Sequence, residues 1–152
     1  MSDRLKGSLK RLERLSHIRQ TYVSVAEAGV KQAEGEVRRL ENADAEAVGH
    51  IQHTQAEIAY LQTATGSDIQ NGEKYIQAMK EQRKVLQQSL ETATTNLVQR
   101  RSEWTEAMKE QKIIEKLQER RLHLSERADD IEMQKAQDEA FIARHVRERN
   151  RD

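Results

Sequence analysis

Residues 63–72 read Thr63-Ala64-Thr65-Gly66-Ser67-Asp68-Ile69-Gln70-Asn71-Gly72, and this stretch decides the fold. Two glycines, an Asn-Gly pair and a Ser-Asp pair fall within it, in a chain that has no proline. Such a cluster marks a turn. Thr63 and Thr65 are β-branched and weaken a helix arriving from upstream. Gly66 suits the position just past a helix end. Asp68 or Asn71 suits the cap of the next helix.

On both sides of the cluster, apolar residues recur in steps of three and four, the seam of a supercoiled helix. Upstream the seam reads Val37, Leu40, Asp44, Ala47, Ile51, Thr54, Ile58 and Leu61. Further back it passes Leu15, Ile18 and Tyr22, then Ala26, Val30 and Ala33, with a stutter where the alternation slips. Leu5, Leu9 and Leu12 carry it almost to the start. Downstream it runs Ile76, Met79, Arg83, Leu86, Leu90, Ala93, Leu97, Arg100, Trp104, Ala107, Gln111 and Ile114. One short step then leads through Leu117, Arg121, Leu124, Ala128, Ile131, Lys135, Asp138 and Ile142.

These spacings predict helix one over about 3–63, a turn over about 64–72 and helix two over about 73–147. Two long helices joined by a short turn run antiparallel. The predicted fold is all-α, a single long two-helix coiled-coil hairpin, rod-shaped and ~85–110 Å long at 1.5 Å per residue. Placing Leu61 opposite Ile76 gives facing residues whose numbers sum to 137. Leu5 then faces Glu132, and residues 133–152 overhang.

Composition agrees. Of 152 residues, 26 are Lys or Arg and 26 Asp or Glu, and mean hydropathy is −0.95. The hydrophobic share of 36% is below the roughly 45–50% of a compact domain. Disorder would favour proline and high net charge, and neither is present. Zero cysteines exclude disulfides, thiolate nucleophiles and cysteine zinc sites. The opening MSDRLKGSLK lacks the apolar core of a secretory signal. No run approaches the roughly 18 apolar residues of a membrane span. A soluble cytoplasmic protein is expected.

Chemistry is sparse. There is no phosphate-cradling glycine loop and no G-x-G-x-x-G. A narrow hairpin offers no dry concave pocket in which to perturb a pKa. The expectation is no enzyme and no cofactor. Glu46, His50, His53 and Glu57 share one helix face at spacings that could hold zinc. Exposed helix ion pairs are the preferred reading, since nothing supplies outer-shell partners. Trp104 on the seam reads as packing. The seam charges Arg83, Arg100, Arg121, Lys135 and Asp138 either set register or mark a third contact surface. Tyr60, Ile69, Tyr75, Ile76 and Met79 either close the end of the coiled coil or form a docking knob.

Charge sorts along the chain. Residues 1–20 hold Arg4, Lys6, Lys10, Arg11, Arg14 and Arg19 against Asp3 and Glu13. Residues 144–152 hold Arg144, Arg147, Arg149 and Arg151 against Glu148 and Asp152. Residues 27–73 hold nine acids against Lys31, Arg38 and Arg39. A hairpin brings both basic ends to one pole. Charge runs on a helix are often only a solvated face, but here two coincide.

Several stretches resemble the FliJ/YscO family (HrpO in plant-associated bacteria), the central-stalk proteins of type III secretion and flagellar export ATPases. Arg4-Leu5-Lys6-Gly7-Ser8-Leu9-Lys10-Arg11-Leu12 is similar to the family's basic–Leu start. Gly29-Val30-Lys31-Gln32-Ala33-Glu34 resembles a Gly-x-x-Gln-Ala-Glu stretch of flagellar members. Tyr75-Ile76-Gln77-Ala78-Met79 resembles the opening of their second helix. Gln134 to Phe141 is similar to their C-terminal Asp-Glu-plus-aromatic segment.

The resemblance implies that the paired terminal ends enter a hexameric secretion ATPase. It implies that the turn region contacts the cytoplasmic side of the export gate, and that export chaperones are further partners. It carries the gate contact onto Leu40, Tyr75 and Met79. Ala43 and Ala47 stand where flagellar members can have aromatics, which tilts the expectation toward a virulence or symbiosis system. With an acidic ring lumen, the basic residues Arg4, Lys10, Arg11, Arg14, Arg144 and Arg147 are the expected ATPase contacts. The expected place is cytoplasmic, peripheral to the inner-membrane apparatus, without membrane insertion. The competing reading is an export chaperone or escort for helical secreted proteins. A nucleic-acid arm would need a continuous basic face, which the acidic stretch opposes.

Overall fold

A computed structural model of the chain describes residues 3–60 and 65–151. Helix α1 spans Asp3–Tyr60 and helix α2 spans Gly66–Arg151, and the two pack against each other as a hairpin. The described residues contain no strand. The sequence supports such helices because proline is absent and Ala, Glu, Gln, Lys, Arg and Leu dominate. In the run Thr92, Thr94, Thr95 each hydroxyl donates to the carbonyl four residues back, at 2.8–3.2 Å, which satisfies these side chains within the helix.

Helix α2 begins at Gly66, inside the expected turn. Thr65 and Asp68 form a reciprocal cap: the Thr65 hydroxyl accepts from the Asp68 N–H and the Asp68 carboxylate accepts from the Thr65 N–H, both at 3.2 Å. The Ile69 N–H donates to the Thr65 carbonyl at 3.2 Å, the first turn of the helix. So Asp68 does cap, but as the partner of Thr65, and Gly66 opens α2 instead of ending α1. Gly72 is helical too. A Cβ there would lie 2.6 Å from Cδ1 of Ile58, so its missing side chain admits α1.

The chain divides into two compact units. The turn unit is Ser24–Thr105; the terminal unit combines Met1–Val23 with Glu106–Asp152. In the turn unit, Val30, Ala33 and Leu97 form a buried cluster against which Val37 and Trp104 pack. Leu40, Ala47 and Ile51 are buried further along α1. Across the helices, Arg83 donates to both carboxylate oxygens of Asp44, at 2.8 and 3.2 Å. In the terminal unit the buried residues are polar: Ser16, Gln111 and Ser125. Gln111 Nε2 donates to Ser16 Oγ at 3.2 Å.

These layers correct the expected register. Val30 with Leu97, Asp44 with Arg83, and Ser16 with Gln111 all have numbers summing to 127, not 137. The cause is the early start of α2, at Gly66 instead of about residue 73. Leu61, which anchored the expected register, lies outside the described residues. Glu132 therefore does not face Leu5, and from residue 126 through Arg151 every side chain is exposed. The overhang is longer than expected.

The seam itself also differs at the chain ends. On α1 the least exposed positions alternate by four and three without a slip from Leu5 and Leu9 through Leu12, Ser16, Arg19, Val23, Ala26 and Val30 to Ile58. There is no stutter. Leu15, Ile18 and Tyr22 stand one residue before seam positions and are exposed. On α2 the seam runs on through Gln111, Ile114, Gln118 and Ser125, leaving Leu117, Leu124 and Ile131 exposed. At the chain ends the packing follows helix phase and not the trail of apolar residues.

Candidate functional site

The terminal unit places Arg4, Lys10, Arg11 and Arg14 on exposed faces of α1. Arg4 and Arg11 line a groove with Asp3, Leu5, Gly7, Ser8 and, from the other helix, Arg121. Three arginines from two helices thus line it. Arg144 and Arg147 are exposed on α2 but far along it. In the observed register Arg4 lies level with residue 123, so Arg144 is ~30 Å further along the helix at 1.5 Å per residue. The structure therefore brings Arg4 and Arg11 together with Arg121, which was expected on the seam, and does not bring them together with Arg144 and Arg147. The overhang carries exposed Ile131, Met133, Phe141, Ile142 and Val146. Phe141 and His145 stack within it, ring centroids 6.5 Å apart.

The terminal seam is incompletely satisfied. Gln111 also donates to Glu115 at 3.4 Å, but its Oε1 has no hydrogen-bond partner, nor has Ser125 Oγ. Each such orphan costs about 1–3 kcal/mol. Beside the seam, Arg19 pairs with Glu110 across the helices and lies 5.8 Å from the centre of the Tyr22 ring.

In the turn unit, Leu40 is 5% exposed and sits in the seam, so it does not offer a contact surface with Tyr75. Tyr75 is exposed and Met79, one turn on, is half-buried. Tyr60 is 85% exposed and Ile69 is exposed as well, so the apolar residues beside the turn are partly free to meet a partner. Ala47 is buried and Ala43 half-buried. Small residues at these positions allow close helix packing.

Charged seam residues resolve one by one. Arg83 sets register through Asp44, a pairing legible in sequence as the two opposite charges on otherwise apolar stripes. Arg100 turns outward to Glu103 at 3.5 Å, and its Cδ lies 3.6 Å from where a Cβ on Gly29 would sit. Lys135 and Asp138 belong to the exposed overhang. Hydrogen bonding from Arg83 holds the Asp44 carboxyl below the usual range and raises the guanidinium. Arg39 does the same to Glu36 one turn away on α1. Trp104 packs on the apolar cluster, and its buried Nε1 has no hydrogen-bond partner. His53 pairs with Glu57 at 3.1 Å, and no group of three or more His, Cys, Asp or Glu placed for a metal occurs among the described residues.

A two-helix hairpin of this kind, with basic terminal helices and a Thr65–Asp68 cap, agrees with the match of residues 8–151 to the family model described as Flagellar FliJ protein. The chain belongs to the FliJ family. Membership makes it a stalk-like component of flagellar and type III export machinery, in a family of structural rather than catalytic members. No curated protein and no solved structure gives a significant match. Among the described residues, no helix is long and apolar enough to cross a membrane.

Proposed function

We propose that this chain is a non-enzymatic coiled-coil stalk of a type III secretion or flagellar export apparatus. Its terminal unit enters the hexameric export ATPase and stimulates or couples it. Its turn unit links that motor to the cytoplasmic side of the export gate. The protein acts in the cytoplasm, peripheral to the inner-membrane apparatus, and export chaperones are a further class of partner.

The observation that carries the reading is the exposure of Arg4, Lys10, Arg11, Arg14, Arg144 and Arg147 on one unit that also holds a polar, incompletely satisfied seam. Guanidinium groups on a solvated helix engage an acidic lumen by charge complementarity without deep burial. On the gate side the contact falls to Tyr75 and Met79, and Leu40 supports them from the seam rather than touching the gate.

The test is a quadruple reversal, Arg4→Glu, Arg11→Glu, Arg144→Glu and Arg147→Glu, added to the export ATPase. Loss of stimulated ATP hydrolysis with unchanged helicity is expected. Wild-type stimulation by the variant removes the reading. The escort reading keeps one observation in its favour, the apolar residues left exposed beside the terminal seam. Stoichiometry separates the two: a stalk binds one copy per hexamer, an escort binds one-to-one.

A further inference from the structure

The terminal unit buries polar residues and leaves large apolar ones in solvent. Leu15, Ile18 and Tyr22 on α1, and Ile113, Leu117 and Leu124 on α2, are 38–58% exposed. Each precedes a seam position by one residue, so each is rotated by ~100° from the seam in the same sense. In an antiparallel pair, that rotation puts the two stripes on the same flank. Arg19 bears this out: it lies against the Tyr22 ring and pairs with Glu110, which is three residues before Ile113 and seven before Leu117. The result is a continuous apolar flank contributed by two helices, of the form that receives a third helix through anchors at i, i+3, i+4 and i+7.

The charges on this flank choose the occupant. By the same spacing Arg11, Arg120 and Arg127 lie on its border, and Arg4, Arg11 and Arg121 line the groove at its end. None of these five makes an ion pair among the described residues. The two acids on the flank, Glu106 and Glu110, are already paired with Lys109 and Arg19. A second copy of the chain would bring the same arginines together, which is repulsive. We propose that this flank docks an acidic amphipathic helix of a partner protein, its apolar stripe on Leu15, Tyr22 and Leu117 and its carboxylates on Arg11, Arg120 and Arg127. It shares Arg4 and Arg11 with the proposed ATPase contacts but not the apolar residues that define the flank, and since the test contains no ATPase the two readings fail separately.

The probe is a fluorescein-labelled peptide of about three heptads with Leu on its seam and Glu beside it. It is titrated against the full-length chain by anisotropy, next to the same peptide with Lys for Glu. The Glu peptide is expected to bind at least about tenfold more tightly than the Lys peptide. The Leu15→Gln, Leu117→Gln variant, both sites exposed and so compatible with folding as checked by circular dichroism, should weaken it by about tenfold or more. Arg11→Glu with Arg120→Glu should do the same. Three outcomes overturn the proposal. One is equal or absent binding of the two peptides. Another is sedimentation showing a dimer that Leu15→Gln, Leu117→Gln dissolves, which makes the flank a self-interface. The third is phosphatidylserine vesicles binding the chain, with loss in the same variants, while the Glu peptide does not.

Discussion

The turn unit and the terminal unit use one heptad phase for opposite purposes. In the turn unit Val30, Ala33, Leu40, Ala47, Ile51 and Leu97 are buried on the seam, around the Asp44–Arg83 pair. In the terminal unit the buried seam residues are Ser16, Gln111 and Ser125, the seam residues Leu5, Leu9, Leu12 and Ile114 are only half-buried, and Leu15, Ile18, Tyr22, Ile113, Leu117 and Leu124 stand beside the seam in solvent. One unit buries apolar layers between its two helices. The other leaves much of its apolar surface uncovered. Where a coiled coil pairs through polar layers while leucines stay outside, the outside face is a candidate for a partner.

Substitutions that trade the properties of the two seams test this contrast. The largest effect is expected in the turn unit. Leu97→Ala opens a cavity in the Val30–Ala33 cluster and should destabilise by about 2–4 kcal/mol. That is a fall in Tm of about 5–15 °C by calorimetry for a chain of this length. The reverse sign is expected at the terminal seam. Replacing both partners of its hydrogen-bonded layer, Ser16→Ala with Gln111→Leu, removes an orphan carbonyl and should raise stability by about 1–2 kcal/mol in urea titrations.

Acid should act mainly on the turn unit. Asp44 is held below the ordinary carboxylate range by Arg83, so the unfolded chain binds more protons as the pH falls below about 4. The stabilisation is complete above the ordinary value and is lost as pH drops through the lowered folded value. Tm should therefore fall as the pH is lowered below about 4. Asp44→Asn should start lower at neutral pH and show a flatter acid limb.

The smallest effects belong to solvent-facing sites. Gly35 and Gly49 would meet nothing with an added Cβ, so Gly35→Ala and Gly49→Ala should each stabilise by about 0.5–1 kcal/mol. Leu15→Gln should change stability by less than about 0.5 kcal/mol. A loss of several kcal/mol there would mean that Leu15 is packed, and it would break the contrast drawn between the units.

Much of the fold is legible from residue order. The steps of three and four between Val37 and Ile58, and again between Ile76 and Ile114, name seam residues that are mostly buried or half-buried in the structure. Two further signals stand in the sequence. Thr65-Gly66-Ser67-Asp68 is a capping sequence and announces where α2 starts. Asp44 and Arg83 are opposite charges on two apolar stripes and announce the register. The terminal phase was not legible, because following leucines leads to Leu15 and Leu117 while the helices turn Ser16 and Gln118 inward. Of the candidate site, the exposed arginines were legible from charge alone. The burial of Leu40 and the shared groove of Arg4, Arg11 and Arg121 were not.

The sequence alone determined two helices and one reversal, because helix propensity, the absence of proline and a local cap act over a few residues. Only the tertiary structure decided which stripe of each terminal helix faces the other. Within the terminal unit Ser16 and Gln111 meet as a hydrogen-bonded pair while Leu15 stays in solvent, because the helix phase that faces a neighbour is set by long-range packing and not by the apolar character of single residues.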